Sequence, residues 1–247
     1  CRDSLERELG VTVAVTDTLD CGEKFDDIFL CNLTGAKAEA AARLADRGAV
    51  ISFIGNYTGT SGSFDVGRIH YEGFFFQGAP GMELSAAYGR NVRSAVKAGG
   101  CCWLPGGAGA MGQMHTQLAV ENPNGPKRIL VSDMDSARIA NVERQLGDAI
   151  RWRGVEFKAV NPSELSPEEF DRVLREFAPE GFDDIIMLVP VVPVLCHAAG
   201  YLGEDGLMNI FAGIPAGKEG VLSIDGIVNH GHRYIGSSGS RTENLRH

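Results

Sequence analysis

The sequence lacks a long hydrophobic run and any excess of positive charge. No stretch of about 18 apolar residues occurs, and the N-terminus lacks the basic and then apolar pattern of a secretory signal peptide. We therefore expect a cytoplasmic protein with no membrane partner. The formal net charge of −9 and the pI near 5.2 would repel nucleic-acid phosphates, so we expect small molecules and proteins as partners, not nucleic acid.

The sequence also lacks the paired cysteines of a zinc or redox motif. Its six cysteines contain no C-x-x-C pair and are scattered through apolar segments. Cysteines in such surroundings usually behave as small buried hydrophobic residues. The H-G-H sequence at His230 and His232 has no evident third ligand. We therefore predict no metal site.

Both ends of the sequence fall within apparent helices. The chain begins with Cys1 in place of Met, and it stops at RTENLRH, where another helix would begin. We expect a fragment of a longer reading frame or an isolated domain. Its 247 residues suffice for a full hydrophobic core, in one large domain or two small ones.

The chain contains an internal repeat. Residues 25–81 (the first repeat) match residues 182–239 (the second repeat) at an offset of 157 and then 158 residues, beginning with FDDIFLCNL over FDDIIMLVP. Each repeat predicts a strand, a helix, a second strand ending in Gly, a linker and a third strand ending in Gly. The predicted strands are residues 27–32, 49–55 and 73–77 in the first repeat, and 184–189, 207–212 and 232–236 in the second.

The strands indicate an α/β fold with a doubly wound parallel sheet. They are apolar along their whole length, which suits a parallel sheet covered on both faces. Ahead of the second repeat, further strands at 101–104, 128–133 and 155–160 alternate with helices, so residues 99–247 predict a complete Rossmann domain. Residues 1–98 predict an incomplete Rossmann-like repeat, with only a strand at VTVAV (11–15) before its last three strands.

A glycine-rich turn marks the start of the complete domain. LPGGAGAMGQMH at 104–115 contains G-x-G-x-x-G after an apolar strand and opens a helix, which is the context of a dinucleotide-binding turn. We expect Gly107 to allow the tight turn, Gly109 to let a pyrophosphate approach, and Gly112 to let the helix pack closely. The first helical residues, Ala110 and Met111, would offer their amides to the phosphates.

An acidic residue ends the next strand. Asp133 follows Gly112 by 21 residues and would accept hydrogen bonds from the adenosine ribose, with Met134 beside it. This carboxylate favours NAD over NADP. Arg138 is close in sequence and could bind a 2′-phosphate, so NADP stays a second candidate. Two alternatives remain: an S-adenosylmethionine or other nucleotide site, or a βα turn that binds nothing.

The carboxyl ends of the other strands are predicted to form the nicotinamide side of the cleft. In doubly wound sheets the ligand lies across the carboxyl ends of the strands. The predicted contact residues are Val189, Pro190, Phe211, Ala212, Gly213, Gly236, Ser237 and Ser238. Each of these could instead belong to a plain turn.

Residues 101–240 resemble the medium-chain, zinc-type alcohol dehydrogenases. The segments that carry the resemblance are GGAGAMGQM, VSDMDSARI, GFDDIIMLVPVVPV, GLMNIFAG and RYIGSSGS, and they are most similar to the sorbitol dehydrogenase and sorbose-1-phosphate reductase group. The resemblance implies the NAD(P)-binding part of an oxidoreductase that acts on a small polyol or sugar phosphate. The zinc-binding catalytic domain of that family has no match in this chain, so the catalytic residues stay unassigned.

Three hypotheses follow from these observations. The chain is the cofactor-binding portion of a dehydrogenase, a tandem Rossmann module that binds a dinucleotide without chemistry, or a structural module whose first repeat is a docking surface. In the resembled family the last strand of the sheet pairs across a dimer axis, so a homo-oligomer through this strand is expected. Alternatively, GFFFQG (73–78) and HRYIGS (232–237) could pair inside one chain and imitate that dimer.

Overall fold

A computed structural model describes residues 2–89, 93 and 95–236. The strands are β1 (Phe25–Cys31), β2 (Ala45–Gly55), β3 (Ser61–Asp65), β4 (Phe75–Pro80), β5 (Cys101–Pro105), β6 (Arg128–Ser132), β7 (Glu156–Val160), β8 (Phe182–Met187), β9 (Leu202–Ile210), β10 (Glu219–Ser223) and β11 (Arg233–Gly236).

Helices alternate with these strands. They are α1 (Arg2–Leu9), α2 (Gly35–Ala42), α3 (Val66–Glu72), α4 (Leu84–Gly89), α5 (Ala110–Glu121), α6 (Ser136–Arg153), α7 (Pro167–Phe177), α8 (Val192–Ala199) and α9 (Ile224–Asn229), with a 3-10 turn at Pro162–Glu164. No helix within the described residues is both long and apolar enough to cross a bilayer.

Nine strands form one sheet in the order β1-β2-β4-β11-β9-β8-β5-β6-β7. From β7 to β11 this is the 3-2-1-4-5-6 order of a doubly wound dinucleotide-binding domain. The neighbours are parallel except where β4 meets β11. The predicted α/β fold with a doubly wound sheet is therefore confirmed, and the first repeat adds a partial second copy of it.

The two repeats meet through antiparallel pairs. Phe76 on β4 lies opposite Tyr234 on β11, and Ser63 on β3 lies opposite Val221 on β10. Both pairs join residues that match at the repeat offset of 158, so a pseudo-two-fold axis passes through both. The predicted pairing of GFFFQG with HRYIGS inside one chain is confirmed.

This pairing bears on the expected homo-oligomer. In the described part of the chain, β4 occupies one edge of β11 and β9 occupies the other. The last strand of the sheet therefore has no free edge for a second copy of the chain. The prediction of a homo-oligomer through this strand finds no support, because the first repeat takes the place of the partner subunit.

A shared hydrophobic core lies under the junction. Phe64 contacts Phe53 and Phe76 edge to face, with ring centroids 5.8 Å and 5.1 Å apart. The same buried cluster contains Tyr234 and Leu222 of the second repeat. Because core and sheet are both continuous across the repeats, the boundary between residues 98 and 99 stays a prediction.

The structure forms two elements in each predicted linker. SGSFD at β3 and EGVLS at β10 lie in the segments predicted as linkers, but they pair with each other across the axis. A short helix follows each strand, and the matching residues Asp65 and Ser223 cap these helices with their side chains. Each of these strands forms by pairing with a strand that is distant in the sequence, so a local sequence pattern does not predict it.

The predicted strand at residues 11–15 is wrong. These residues follow α1 without regular secondary structure. A strand needs a neighbour for its backbone hydrogen bonds, and in the described residues no strand lies beside VTVAV. Its alternating valines favour a strand, but the described fold provides no neighbouring strand to pair with it.

The Tyr234 side chain allows a test of the junction. Its hydroxyl is fully buried and has no hydrogen-bond partner among the described residues, and burial raises its pKa above the ordinary value. We expect Tyr234→Phe to raise the free energy of unfolding by about 1 kcal/mol, because it removes an unsatisfied polar group. Tyr234→Asp should instead unfold the junction. Urea unfolding of both variants checks this, and a Phe variant less stable than the parent would contradict it.

Candidate functional site

The glycine-rich segment turns the chain from β5 into α5. Gly106 has φ +80°, in the left-handed region that favours glycine, and its amide donates to Ser132 O at 2.7 Å. Gly109 then caps α5. The predicted order of strand, turn and helix is confirmed. The turn residue with the unusual backbone is Gly106, however, and not Gly107 as the motif suggested.

Gly107 and Gly112 are required by close packing. A Cβ atom on Gly107 would lie 2.9 Å from Leu104 O and from Thr116 Oγ1, and one on Gly112 would lie 2.0 Å from Gly106 O. The first turns of α5 also bind the loop: Thr116 Oγ1 donates to Gly107 O at 2.8 Å, and Gln113 Nε2 donates to Ala108 O at 2.9 Å. The conformation of the turn is thus fixed by these close contacts and by hydrogen bonds from α5.

The N-terminus of α5 is open on one side. Gly109 makes no side-chain cap, and the first amides of an α-helix have no partner inside the helix. A Cβ atom on Gly109 would meet Gly106 O at 3.3 Å and Asp133 Oδ2 at 3.9 Å. The amides of Ala110 and Met111 therefore begin the helix beside the Asp133 carboxylate, with the partial positive charge of a helix N-terminus.

Asp133 lies where β6 ends, next to the glycine turn. Its side chain is only 8% exposed, and Oδ1 accepts a hydrogen bond from Asp135 N at 3.1 Å. Arg138 Nη1 is 4.0 Å from Asp133 Oδ1, and Arg138 Nε is 3.3 Å from Asp135 Oδ2. Met134 is largely exposed beside them. The sequence-predicted residues of the adenosine side are thus brought together.

Val189, Pro190 and Phe211 lie at the neighbouring strand ends. Val189 Cγ2 would be 2.8 Å from a Cβ atom on Gly106, which places it against the glycine turn. The amides of Phe211 and Ala212 both donate to Met187 O, so the segment after β9 folds back over the end of β8. The Phe211 ring is 4.4 Å from the ring of His115 on α5, so α5 and this segment approach each other.

The first repeat borders the same edge through α3. A Cβ atom on Gly213 would lie 3.2 Å from the Tyr71 hydroxyl, and one on Gly236 would lie 1.8 Å from Ile69 O. Gly236 is therefore packed against α3 and does not face an open cleft. Ser237 and Ser238 lie outside the described residues. His70 Nδ1 is 3.0 Å from Ile210 O, and no motif indicated that α3 would lie here.

Two further histidines each contact a carboxylate elsewhere in the chain. His197 Nε2 is 2.8 Å from Asp171 Oδ1, in a groove of about 650 Å³ between the ends of α7 and α8. His230 Nδ1 is 2.6 Å from Glu204 Oε1. Within the described residues, no group of three or more His, Cys, Asp or Glu is placed to hold a metal ion.

His232 gives the stability a predictable pH dependence. Burial, and then the neighbouring His230, lower the pKa of His232 from 6.5 to about 4. The unfolded chain takes up a proton near pH 6.5, whereas the folded chain does so only near pH 4. The free energy of unfolding should therefore fall as the pH drops from 6.5 to 4, by up to about 1.4 kcal/mol per pH unit.

Urea unfolding at a series of pH values measures this slope. His232→Gln should remove the contribution, while His115→Gln, at a half-buried histidine, should leave it in place. Identical slopes for the parent protein and the His232 variant would contradict the assignment.

A second prediction concerns the glycine turn. Gly112→Ala should lower the free energy of unfolding by about 1–3 kcal/mol, because its methyl group would overlap Gly106 O. Gly109→Ala, where the nearest atom is 3.3 Å away, should cost only about 0.5 kcal/mol through the weaker helix cap. Urea unfolding compares the two variants, and equal losses would show that the close approach is absent.

No family model matches the chain. Among curated proteins it is 35% identical over 126 residues to mannitol-1-phosphate 5-dehydrogenase of Aliivibrio fischeri, covering 50% of this chain and 29% of that protein. It is 27% identical over 143 residues to L-sorbose 1-phosphate reductase of Klebsiella pneumoniae, covering 57% and 33%. These alignments thus cover about a third of the relatives' own length.

Two solved structures have lower sequence identity to the chain. One is an alcohol dehydrogenase zinc-binding domain protein from Burkholderia ambifaria, 22% identical, with a TM-score of 0.46, covering 57% of this chain and 34% of that one. Another is 2R,3R-butanediol dehydrogenase from Bacillus subtilis, 22% identical, with a TM-score of 0.46, covering 61% and 40%.

The resemblance predicted from the sequence motifs is confirmed by the comparisons. The curated relatives are named as a mannitol-1-phosphate dehydrogenase and an L-sorbose 1-phosphate reductase. The chain is therefore similar to part of a dehydrogenase of this kind.

Proposed function

We propose that this chain is the NAD(P)-binding part of an oxidoreductase of the alcohol and polyol dehydrogenase type. The observation that carries the proposal is the juxtaposition of Gly109 and Asp133. A Cβ atom on Gly109 would be 3.9 Å from the Asp133 carboxylate, at the edge where β5 and β6 end. This is the arrangement that a dinucleotide requires, with phosphate and ribose partners on adjacent strands.

The pyrophosphate would lie against the N-terminus of α5. The amides of Ala110, Met111 and Gly112 are at the positive end of the helix, and Gly109 carries no side chain to obstruct them. Thr116 and Gln113 hold the loop carbonyls of Gly107 and Ala108, so the amides are already oriented before a ligand arrives. Preorganisation of this kind lowers the entropy cost of binding.

Asp133 would accept hydrogen bonds from the adenosine ribose and so favour NAD. A 2′-phosphate would meet a carboxylate that is almost fully buried, and charge repulsion there is poorly screened. Arg138 could offset this repulsion for NADP. Its guanidinium, however, lies between Asp133 and Asp135, so a phosphate would have to compete with two carboxylates.

The nicotinamide end would extend toward Val189, Pro190 and the segment 211–213. A bound nicotinamide supplies the site that accepts or donates hydride. Phe211, packed on His115, and Val189, packed on the glycine turn, would exclude water from one side of this edge. We further propose a small polyol or sugar phosphate as substrate, because both curated relatives are named for such compounds. Residues outside this chain would supply the catalytic zinc domain.

The cysteines support the expected cytoplasmic location. Among the described residues, Cys21, Cys31, Cys101, Cys102 and Cys196 are all free thiols. Unpaired cysteines are typical of proteins in reducing compartments.

Calorimetric titration with NAD and NADP tests the proposal. The parent chain should bind NAD more tightly than NADP. Asp133→Asn should weaken NAD binding by about 10-fold or more, because it removes charged hydrogen bonds to the ribose. It should also reduce the difference between the affinities for NAD and NADP. Gly109→Val should weaken both ligands, since its side chain would stand in front of the helix amides.

The matched control is Asp148→Asn, which removes an exposed carboxylate from α6. It should leave both affinities unchanged. Equal NAD affinity for the parent, Asp133→Asn and Gly109→Val would place the site elsewhere. NAD binding lost in these variants, together with no oxidation of polyols by any longer form of the protein, would favour a dinucleotide-binding module without chemistry.

A further inference from the structure

Two carboxylates besides Asp133 lie at the turn from β6 into α6. Asp135 is the N-cap residue of α6, and Glu164 ends the 3-10 turn that follows β7 and contacts Ser136. Each of them holds a hydrogen-bond donor of the first turn of α6. Because this turn borders the adenosine side of the proposed dinucleotide site, both contacts bear on the choice between NAD and NADP.

Asp135 divides its two carboxylate oxygens between the helix and the side chain of Arg138. Oδ1 accepts hydrogen bonds from Ala137 N at 2.9 Å and from Arg138 N at 3.1 Å, which caps α6. Oδ2 lies 3.3 Å from Arg138 Nε, whereas Arg138 Nη1 is 4.0 Å from Asp133 Oδ1. The cap therefore holds the Asp135 carboxylate where it binds the Arg138 guanidinium.

Glu164 accepts a hydrogen bond from the hydroxyl of Ser136, the first residue of α6. Ser136 Oγ donates to Glu164 Oε1 at 2.5 Å. A serine hydroxyl has a single hydrogen, so it cannot donate to Glu164 and to a phosphate at the same time. Ser136 follows Asp133 by three residues, at a helix N-terminus that would otherwise favour an anion. The Glu164 carboxylate thus occupies this donor.

The side chain of Asn161, at the end of β7, holds the two turns together. Its Nδ2 lies 2.7 Å from Ser136 Oγ, 3.2 Å from Glu164 Oε1 and 3.3 Å from Met134 O. Its Oδ1 accepts a hydrogen bond from Ser163 N at 2.9 Å. Asn161 is buried, so these contacts are shielded from water. The contact between Ser136 and Glu164 is therefore already formed before any ligand arrives.

We propose that Asp135 and Glu164 are specificity-determining residues that exclude NADP, a role that rests on the proposed NAD(P) site. A 2′-phosphate beside Asp133 needs donors, and the first turn of α6 offers the side chains of Ser136 and Arg138. Binding of NADP would break the contacts that both donors make and would place a phosphate among three carboxylates. The ribose 2′-hydroxyl of NAD is neutral and can donate to Asp133. NAD therefore leaves both contacts intact.

Calorimetric titration of the double variant Asp135→Asn, Glu164→Ala tests the proposal. Asparagine at residue 135 keeps an oxygen that can cap α6 but loses the charge that binds Arg138. Alanine at residue 164 releases the Ser136 hydroxyl. The double variant should bind NADP at least about 10-fold more tightly than the parent does. Its NAD affinity should be unchanged, because Asp133 is retained.

Two controls separate the released donors from the lost charge. Adding Arg138→Ala and Ser136→Ala to the double variant should return its NADP affinity to within about 3-fold of the parent's, because the donors are then removed. Asp148→Asn combined with Glu176→Ala also removes two negative charges, from exposed positions on α6 and α7. This matched variant should leave both affinities unchanged.

Equal NADP affinity for the parent and the double variant, with NAD binding that Asp133→Asn weakens, would overturn this inference and leave the proposed function standing. A gain that survives the loss of both Arg138 and Ser136 would also overturn it, since lost charge alone would then explain the gain. A parent chain that binds neither dinucleotide would contradict the proposed function and this inference together. Should the double variant unfold in water, Glu164→Ala alone is titrated, and an unchanged NADP affinity then counts against the proposal.

Discussion

The antiparallel pairing of β4 with β11 is the contact on which the rest of the architecture depends. It joins two runs of parallel strands into one nine-stranded sheet and lets β3 and β10 form a second, small sheet on the same pseudo-two-fold axis. Without it, β11 would have a free edge, and Phe76 and Tyr234 would be exposed to water instead of packing in a common core. A repeat that cannot form a whole domain alone is stabilised by its neighbour.

The same contact shapes the candidate site. Because the repeats are related by the axis, α3 of the first repeat packs against the strand ends of the second, with Ile69 against Gly236 and Tyr71 near Gly213. Residues of both repeats therefore line the nicotinamide side of the proposed site. The adenosine side is built by the second repeat's own domain, where Gly112 packs on the carbonyl of Gly106 and α5 starts beside Asp133. The proposed dinucleotide site and the repeat junction are thus physically connected.

Predictions from local pattern succeeded where a short segment contains its own physical cause. The glycine spacing predicted the turn into α5, and the FDD repeats predicted the strands β1 and β8. Predictions failed where a distant partner decides. VTVAV has the pattern of a strand but no adjacent strand among the described residues, whereas SGSFD lacks the pattern and forms β3 by pairing with β10. Within the site, the motif located the turn, but only the backbone angles identified Gly106 as its left-handed residue.

The amino-acid sequence by itself determined the α/β class, the internal repeat, the strand–turn–helix around Gly107, Gly109 and Gly112, and the position of Asp133 after the next strand. These features follow from hydrophobic periodicity and from the conformational freedom of glycine, which act over a few residues. Only the tertiary structure decided that the repeats share one sheet, that α3 packs on Gly236, and that β1 is the outermost strand of the described sheet. Each of these depends on which surfaces meet across more than a hundred residues, where burial and backbone hydrogen bonding choose among partners that local sequence cannot rank.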